Sequence, residues 1–289
     1  NYVHQRLMVA DLGASPGTAM DVVVKVGKTV VAFDHALNVL WTYDNPWNHY
    51  PKHSAYIPCV GDLDGDGYDE IVGGHFGLDH DGTLLWERYL GDNMDSVLVV
   101  PWIAEVGNPQ AVLSAGGQIL DGRGEKIFEL GMDIVPHGQE VRCGAFHGPG
   151  KGLEMVIRYN GHHTDLIVVD HDGQICSRFQ VDESPNNTGL ETIHWRHTGE
   201  PDLIFTPSAL WGGDGQRAVR FPDLPPPAGG KMGWYHCFPA DVCGDERDEV
   251  ILYDPYQDSV HIYTPAPLNP AAFTGYRHTD RQMNTRLID

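Results

Sequence analysis

Residues 61–70 read Gly61-Asp62-Leu63-Asp64-Gly65-Asp66-Gly67-Tyr68-Asp69-Glu70, and Ile71-Val72-Gly73-Gly74-His75 follows directly. Counted from Asp62, carboxylates stand at the first, third, fifth and ninth positions, and a glycine stands at the sixth. Hard divalent cations are bound by oxygen ligands on short loops with such a glycine bend. The stretch therefore predicts a Ca²⁺ site, with these candidate residues: Asp62, Asp64, Asp66, Tyr68 and Glu70.

A second, weaker copy of this pattern lies near the other end of the chain. Residues 240–252 keep the acids and the apolar strand that follows, but Cys243 stands where the second carboxylate would be. Two copies of one pattern at distant positions indicate a repeated structural unit.

The repeat has a period of about forty residues, each period containing short apolar strands and an Asp-Gly turn. The clearest units are 62–89, with strands at 70–74 and 83–86 and a connection at 75–78, and 142–180. Four others are recognisable: 21–43, 111–130, 202–221 and 249–263. Such units are typical of β-propeller blades. We predict an all-β chain, one propeller domain over 1–289, with six visible blades, a further strand at 283–287 and a seventh blade completed by both chain ends.

Composition limits the function classes. The chain has 289 residues, 34 glycines and 20 prolines, and its 40 acidic and 19 basic residues give a formal charge of −21. This charge opposes binding to nucleic acid or to an anionic membrane.

The five cysteines contain no Cys-x-x-Cys pair, so neither a zinc ribbon nor a disulfide framework is indicated. Because the chain begins at Asn1 without a methionine or an apolar leader, we expect that a leader or N-terminal segment was removed.

Blade geometry separates the predicted metal loop from the remaining polar residues. The connection into the first strand of a blade and the connection between its second and third strands emerge at one end, where propellers usually bind ligands. The loop at 61–70 joins the first and second strands and belongs to the opposite end. We therefore expect its Ca²⁺ to be structural.

Polar and aromatic residues concentrate at the predicted ligand end of two blades. Histidine suits acid and base work near neutral pH, and arginine suits capture of a carboxylate. Together these groups match β-elimination of a uronate, which needs a base for the C5 proton, an acid for the leaving oxygen and a neutralised carboxylate. The candidates are His53, His75, Arg142 and Arg158 for catalysis, and Trp47, His137, Tyr159 and Asn160 for sugar binding.

Simpler interpretations remain open for these residues. Sixteen histidines are scattered through the chain, so a given one is more often a surface or core residue than a catalyst. Arg158 could pair with an acid on a neighbouring blade. A buried metal near the axis, held by His194, His236, Cys143 or Cys237, has no support from the spacing of these residues.

Four stretches resemble propeller polysaccharide lyases that act at rhamnose–uronate linkages: 184–189 (SPNNTG), 231–237 (KMGWYHC), 240–245 (ADVCGD) and 262–267 (IYTPAP). The chain is most similar to the L-rhamnose-α-1,4-D-glucuronate lyases, and more distantly to ulvan and rhamnogalacturonan lyases. The resemblance implies a calcium-containing propeller that releases terminal rhamnose from a plant glycan. Its paired histidines match His53 and His75, 22 positions apart, and its arginine matches Arg142 or Arg158.

The resemblance leaves several points open. It does not say which histidine is the base, nor whether cleavage is endo or exo. With six clear blades, closure of the propeller would need residues before Asn1. A monomer acting on a uronate- and rhamnose-containing saccharide, secreted or periplasmic, follows from the substrate class. The alternatives are a non-catalytic, calcium-stabilised propeller that binds a glycan or a protein, and a hydrolase.

Overall fold

The structure is a computed structural model that describes residues 5–16, 20–182, 189–228, 235–254 and 256–265. Its contacts divide the chain into two compact units, one ending at Val141 and the other beginning at Arg142. The single-domain assignment for 1–289 stays a prediction. The predicted strand at 283–287 lies outside the described residues, as do 184–188, 231–234, 266 and 267 of the stretches that carry the resemblance.

The first unit contains three four-stranded sheets, a short hairpin and two 3-10 turns. Their bounds are β1 (Gln5–Ala10), β2 (Asp21–Val26), β3 (Thr29–Phe33), β4 (Val39–Asp44), the hairpin β5 (Asn48–His49) and β6 (Lys52–His53), β7 (Cys59–Gly61), β8 (Glu70–Val72), β9 (Phe76–Leu78), β10 (Leu84–Glu87), β11 (Val97–Val100), β12 (Gln110–Leu113), β13 (Gln118–Leu120), β14 (Lys126–Glu129), and the turns Ala104–Val106 and Ala115–Gly117.

The second unit contains two four-stranded sheets and one three-stranded sheet. Their bounds are β15 (Val141–Gly144, beginning at the boundary residue), β16 (Glu154–Arg158), β17 (Asp165–Val169), β18 (Ile175–Gln180), β19 (Glu191–Ile193), β20 (Leu203–Thr206), β21 (Ala209–Trp211), β22 (Arg217–Arg220), β23 (His236–Ala240), β24 (Glu249–Tyr253) and β25 (Val260–Tyr263).

In each of these six sheets, strands that follow one another in the chain are also neighbours in the sheet. They pair antiparallel, for example β1 with β2, β16 with β17, β19 with β20 and β23 with β24. This up-and-down order is the form of a propeller blade. The all-β, propeller-like fold is therefore confirmed, and the six visible repeats correspond to the six sheets of the described residues. The seventh blade stays a prediction.

Local sequence explains the hairpin between the third and fourth strands. In the second sheet, the main-chain N–H of Asp79 donates to the carbonyl of Thr83 at 2.9 Å or less, and Gly82 has a φ of +85° that favours glycine. The same turn recurs between Asp170 and Gln174, with Gly173 at φ +81°. These are the Asp-Gly turns that the sequence predicts.

The connection between the first and second strands is anchored by one buried polar residue in each sheet. In five sheets this residue begins the second strand, and in the sheet β19–β22 it directly precedes that strand. The six residues are Asp21, Glu70, Gln110, Glu154, Asp202 and Glu249. In all but one of them, the side chain accepts a hydrogen bond from a main-chain N–H of its own sheet's connection. A buried backbone donor needs such a partner, so this residue is a structural requirement of the repeat.

One predicted connection is wrong. Residues 75–78 were expected to be a loop, but Phe76–Leu78 forms β9. The turn into β9 is very short because Gly74 adopts a φ of +87° and the ring of Phe76 fills the space beside Gly73, where a Cβ would lie 2.1 Å from the ring. Gly73 and Gly74 therefore make a tight turn between two paired strands.

The core lies between consecutive sheets. Met8, Val23 and Phe76 belong to one buried cluster of the first unit, and Phe205 and Val250 belong to one of the second. Burial of each such side chain stabilises the fold by about 1.5–3 kcal/mol. Among the described residues, no helix is long and apolar enough to cross a membrane.

Candidate functional site

The predicted metal loop, which we call the Asp62 loop (61–70), joins β7 and β8. Its acids are held by the loop's own backbone: the N–H groups of Gly65 and Gly67 donate to the two Asp62 oxygens at 2.7 and 3.1 Å. The carboxylate oxygens of Asp62, Asp64 and Asp66 lie within 4.8 Å of one another. The loop therefore brings three predicted ligands together.

Glu70 is the fourth predicted carboxylate ligand of the Asp62 loop and is fully buried. Its Oε2 accepts the N–H of Leu63 at 2.5 Å, but its Oε1 is buried and makes no hydrogen bond. Burial, followed by the charges of Asp64 and Asp66, raises the pKa of Glu70 to about 8. A cation among these oxygens would satisfy Oε1 and stabilise the carboxylate, so the donor set fits Ca²⁺.

The fifth candidate ligand, Tyr68, has its side chain engaged elsewhere. Its ring lies 4.7 Å from that of His80 and packs over Gly13, where a Cβ would lie 2.6 Å from it. Tyr68 could therefore serve a metal only through its main-chain carbonyl, as residues at this loop position commonly do.

The predicted catalytic histidines are brought together in the first unit. His53 ends β6, and His75 lies between β8 and β9. The hydrogen bond from Ala55 N–H to the Gly73 carbonyl, 2.8 Å long, ties the two segments together. His53 is 4% exposed and His75 is 0% exposed, so both imidazoles are enclosed by protein.

Aromatic rings surround both histidines. His53 stacks on Tyr56 at 4.1 Å between ring centroids, and Tyr50 lies parallel to it at 6.1 Å. His75 lies 4.9 Å from Trp47 and 5.4 Å from Tyr89. The predicted sugar-binding residue Trp47 thus contacts a candidate catalyst directly.

Hydrogen bonds assign different tautomers to the two imidazoles. The N–H of Leu90 donates to His75 Nδ1 at 3.2 Å, so the proton of neutral His75 is on Nε2. His53 Nδ1 lies 3.1 Å from the Ser54 carbonyl, which can only accept, so the proton of neutral His53 is on Nδ1 and its Nε2 carries a lone pair. His53 Nε2 can accept a proton, and His75 Nε2 can donate one.

Burial keeps both histidines neutral. Burial, and after it the charge of the nearby His53, lower the pKa of His75 to about 4. The pKa of His53 is also lowered by burial, against the opposing charge of Asp95, whose Oδ1 lies 3.5 Å from His53 Nε2. The neutral form is the one that can act as a general base.

Asp95 links His53 to the predicted sugar-binding residue His137. The other carboxylate oxygen of Asp95 accepts a hydrogen bond from Gln139 Nε2 at 2.7 Å and lies 3.2 Å from His137 Nε2. Sequence analysis missed Asp95 and Gln139 because neither belongs to a motif.

Lys25 is a further residue that the sequence analysis missed. It is 3% exposed, and burial lowers its pKa to about 8. Its charge is one of the smaller contributions that lower the pKa of His53. A lysine inside a run of valines signals an unusual buried cation, and this signal was available in the sequence.

Two of the predicted residues of the second unit, Arg142 and Asn160, are hydrogen-bonded to acidic side chains. Arg142 forms a two-pronged ion pair with Glu191, with both nitrogen–oxygen distances at 3.0 Å. Asn160 donates to Asp165 at 2.9 Å, and the guanidinium of Arg178 lies over the ring of Tyr159 at 5.2 Å. Arg158 is fully buried in β16. The catalytic and sugar-binding roles of these residues stay predictions.

Two other groups of residues could suggest a reactive or metal site, but the described residues do not form one. Gly13-Ala14-Ser15-Pro16-Gly17 spells a hydrolase-like Gly-x-Ser-x-Gly, but the Ser15 hydroxyl donates to Asp21 and accepts the N–H of His35, within a strand-to-strand loop. A nucleophile of this motif sits on a strand-to-helix turn. Among the described residues, His194, His236, Cys143 and Cys237 do not form a metal-type cluster.

No protein-family model matches the chain. The rhamnogalacturonan exolyase YesX of Bacillus subtilis (strain 168) is 39% identical over 71 aligned residues, which cover 22% of this chain and 11% of that protein. The crystal structure of rhamnogalacturonan lyase YesW matches 90% of this chain and 45% of its own, with 18% identity and a TM-score of 0.65. Rhamnogalacturonan lyase PL11 of Bacillus licheniformis matches 90% of this chain and 45% of its own, with 20% identity and a TM-score of 0.64.

These likenesses place the chain in one fold with rhamnogalacturonan lyases. The chain spans 45% of the length of these two solved structures. The fold is thus shared.

Proposed function

We propose that the protein is a polysaccharide lyase that cleaves a uronate-containing glycan by β-elimination, with a rhamnosyl-glucuronate linkage as its substrate. The observation that carries the proposal is the pair His53 and His75: two neighbouring neutral imidazoles, one with a free lone pair on Nε2 and one with its proton on Nε2. The fold shared with rhamnogalacturonan lyases supports the lyase class.

On the basis of the two tautomers, we propose an order of proton transfers that the sequence left open. His53 Nε2 takes the C5 proton of the uronate, and the electron pair left on C5 forms the C4–C5 double bond as the bond from C4 to its leaving oxygen breaks. His75 Nε2–H gives its proton to that oxygen. Each histidine step is general acid–base catalysis, which contributes about 10²–10⁴-fold in rate.

A cation must neutralise the uronate carboxylate so that the C5 proton becomes acidic. Within the first unit, Lys25 supplies a buried positive charge that acts on the pKa of His53. Arg158 and Arg142 are the alternatives from the sequence, and Arg142 already holds the carboxylate of Glu191. We therefore propose Lys25 ahead of Arg142 for this role.

The aromatic rings over the histidines define how a sugar would approach. Tyr50 is 72% exposed and Tyr89 is 44% exposed, while the imidazoles beneath them are enclosed. Aromatic rings offer flat apolar faces together with a hydroxyl group, which suits sugar rings. We propose that the glycan displaces these rings to reach His53 and His75, with Trp47 and His137 beside it.

We propose that Ca²⁺ binds the Asp62 loop through Asp62, Asp64, Asp66 and Glu70 and the main chain of Tyr68. Such an ion supplies fixed positive charge that holds the connection between β7 and β8. His75 lies in the short turn after β8, so a rigid strand would hold that imidazole in position. Action on a polymer of this kind implies a secreted or periplasmic protein, and we propose that it acts as a monomer.

The test is a screen of gum arabic, ulvan and rhamnogalacturonan. We expect ultraviolet absorbance from a 4,5-unsaturated uronate, together with free rhamnose from gum arabic. Because each histidine moves a proton, His53→Ala and His75→Ala should lower turnover by at least about 100-fold. Lys25→Met should also lower it.

His35→Ala is the matched control, because His35 is exposed and lies outside this cluster. Product mass separates elimination from hydrolysis, which adds one water. Saturated product, or binding of a glycan without turnover in any substrate, would overturn the lyase proposal and favour the hydrolase or the non-catalytic binder.

A further inference from the structure

The first connection of the sheet β15–β18, which we call the His147 loop (144–154), carries a mixed set of donor groups. His147 Nδ1 lies 2.6 Å from Glu154 Oε1, and the Glu154 carboxylate also accepts the His147 N–H at 2.7 Å. His147, Glu154 and Cys176 each offer one possible ligand atom, and these three atoms lie within 4.8 Å of one another. Residues from two separate segments of the chain thus converge on one point.

Cys176 reaches this point because of a β-bulge. Val168 pairs with Ser177 and Val169 pairs with Ile175, so Cys176 is the extra residue between them. A bulge redirects its side chain out of the regular alternation of the strand. Four other sheets carry a bulge at the same place, with these extra residues: Leu40, Leu85, Ile127 and Ala218. Among these five bulges, only the one beside the His147 loop presents a thiol.

The His147 loop occupies the same place in its sheet as the Asp62 loop. Glu154 begins the second strand as Glu70 does and accepts the main-chain N–H of the loop in the same way. The Asp62 loop offers oxygen donors alone, which suit Ca²⁺. The His147 loop offers nitrogen and oxygen, and the bulge adds sulfur, which suit Zn²⁺ and other ions of borderline softness.

The surroundings favour ligand binding at this point. The His147 ring lies against Gly213, where a Cβ would be 2.8 Å from Cε1, so its orientation is constrained. The Asp170 carboxylate interacts with the Cys176 thiol, which provides a further oxygen donor. Tetrahedral Zn²⁺ sites have metal–ligand distances of about 2.0–2.3 Å, so their ligand atoms stand roughly 3.3–3.7 Å apart. Closure by about 1 Å is within reach of the exposed Cys176 side chain.

We propose that His147, Glu154 and Cys176 bind a transition-metal ion of the Zn²⁺ class, with Asp170 or water completing the coordination. The ion would join the first connection of this sheet to its outermost strand. It would therefore stabilise the sheet independently of Ca²⁺ and of any lyase activity.

The test uses the full chain, stripped of metal, in saturating Ca²⁺. Titration with Zn²⁺ against a chromogenic chelator should show one tight equivalent, and Co²⁺ should give a thiolate-to-cobalt charge-transfer band in the near ultraviolet. Cys176→Ser and His147→Ala should each weaken Zn²⁺ binding by more than about tenfold. Zn²⁺ should raise the unfolding temperature of the wild type but not of Cys176→Ser.

Cys243→Ser is the matched control, since Cys243 also lies beside a buried glutamate, Glu249, in a first connection. It should keep the Co²⁺ band and the Zn²⁺ affinity. The exposed position of Cys176 makes its serine variant compatible with folding, which circular dichroism verifies. A wild type without the thiolate band, or a Cys176→Ser variant with unchanged Zn²⁺ affinity, would overturn the proposal.

Discussion

The Asp62 loop and its copy at 240–249, which we call the Asp241 loop, share one pattern of backbone hydrogen bonds. They differ in how the negative charges of their carboxylates are balanced. In both loops, the first aspartate accepts at least two hydrogen bonds from main-chain N–H groups of the loop. A buried glutamate, Glu70 or Glu249, accepts another from the N–H of the residue that follows this aspartate. The Asp62 loop gathers carboxylates without a cation of its own. In the Asp241 loop, Arg247 stands where Tyr68 stands in the Asp62 loop and makes a two-pronged ion pair with Asp245.

One loop frame can therefore balance its carboxylates with an internal arginine or, as we propose for the Asp62 loop, with a metal ion. Arg247 adds a positive charge to the Asp241 loop. Its hydrogen bonds to Asp245 hold the pKa of that carboxyl below its usual range. The Asp62 loop has no such residue, so burial and like charges leave Glu70 with a raised pKa. A guanidinium in one loop thus occupies the electrostatic role that we propose for Ca²⁺ in the other.

The largest effect is expected from removal of the internal cation. Arg247→Met should lower the free energy of unfolding by about 3 kcal/mol, because it leaves the buried Asp245 carboxylate uncompensated. Urea unfolding followed by tryptophan fluorescence measures the change. Since the folded pKa of Asp245 is lowered, the ion pair stabilises the protein at neutral pH and its contribution is lost below about pH 4. The gap between variant and wild type should therefore narrow there.

Arg247→Lys is the control for this prediction, because it keeps the charge and loses only the fork. It should cost clearly less than Arg247→Met. Equal losses for both variants at every pH would mean that the guanidinium acts through packing, and the electrostatic comparison of the two loops would fail.

Withdrawal of Ca²⁺ should affect the Asp62 loop alone. At a free Ca²⁺ concentration 100 times the Kd, the ion should stabilise the folded protein by about 2.7 kcal/mol, and a chelator should remove this increment. Asp64→Asn should abolish the response. Thermal unfolding with and without Ca²⁺ gives the measurement.

Asp241→Asn is the matched variant in the other loop. It should leave the Ca²⁺ increment intact although it lowers basal stability through lost hydrogen bonds to Gly244 and Glu246. If Asp241→Asn also removed the Ca²⁺ response, both loops would bind the ion and the proposed contrast would be wrong.

The smallest effect concerns a shared backbone feature. Gly67 has a φ of +97°, and Glu246 at the equivalent position has a φ of +71°. Gly67→Ala should destabilise by about 1 kcal/mol from backbone strain alone, since the space around a Cβ there is open. Glu246→Gly should relieve strain and stabilise by up to about 0.5 kcal/mol. Chemical denaturation measures both changes, and a stable Gly67→Ala would show that the loop does not constrain this dihedral angle.

Features with local causes were predictable from the sequence. The Asp-Gly turns, the acidic loop before β8 and the alternation of apolar strands depend on residues within a few positions of one another. This is why the six repeats correspond to six sheets. The short strand β9 was missed because two glycines make an unusually tight turn before it, and turn type depends on the dihedral angles adopted, which residue types only bias.

The candidate site was only partly predictable. His53 was identified from its placement before a predicted first strand, and His75 from its placement after a second strand, which the repeat dictates. Asp95 and Tyr89 were missed, because their nearness to these histidines depends on how separate segments pack. Arg142 looked available for substrate until the fold placed Glu191 against it, 49 positions away in sequence.

The order of residues along the chain was therefore enough to determine the all-β repeat, the turns and the carboxylate pattern, since hydrogen bonding and strand periodicity act over short distances. Which charges compensate one another, which imidazole nitrogen carries a proton and which thiol faces a histidine were decided only in the tertiary structure. The reason is that pKa values and hydrogen bonds depend on burial and on partners that only packing brings together. The Asp62 loop and the Asp241 loop demonstrate this: their sequences look like a stronger and a weaker version of one site, whereas the folded chain gives one of them an internal cation.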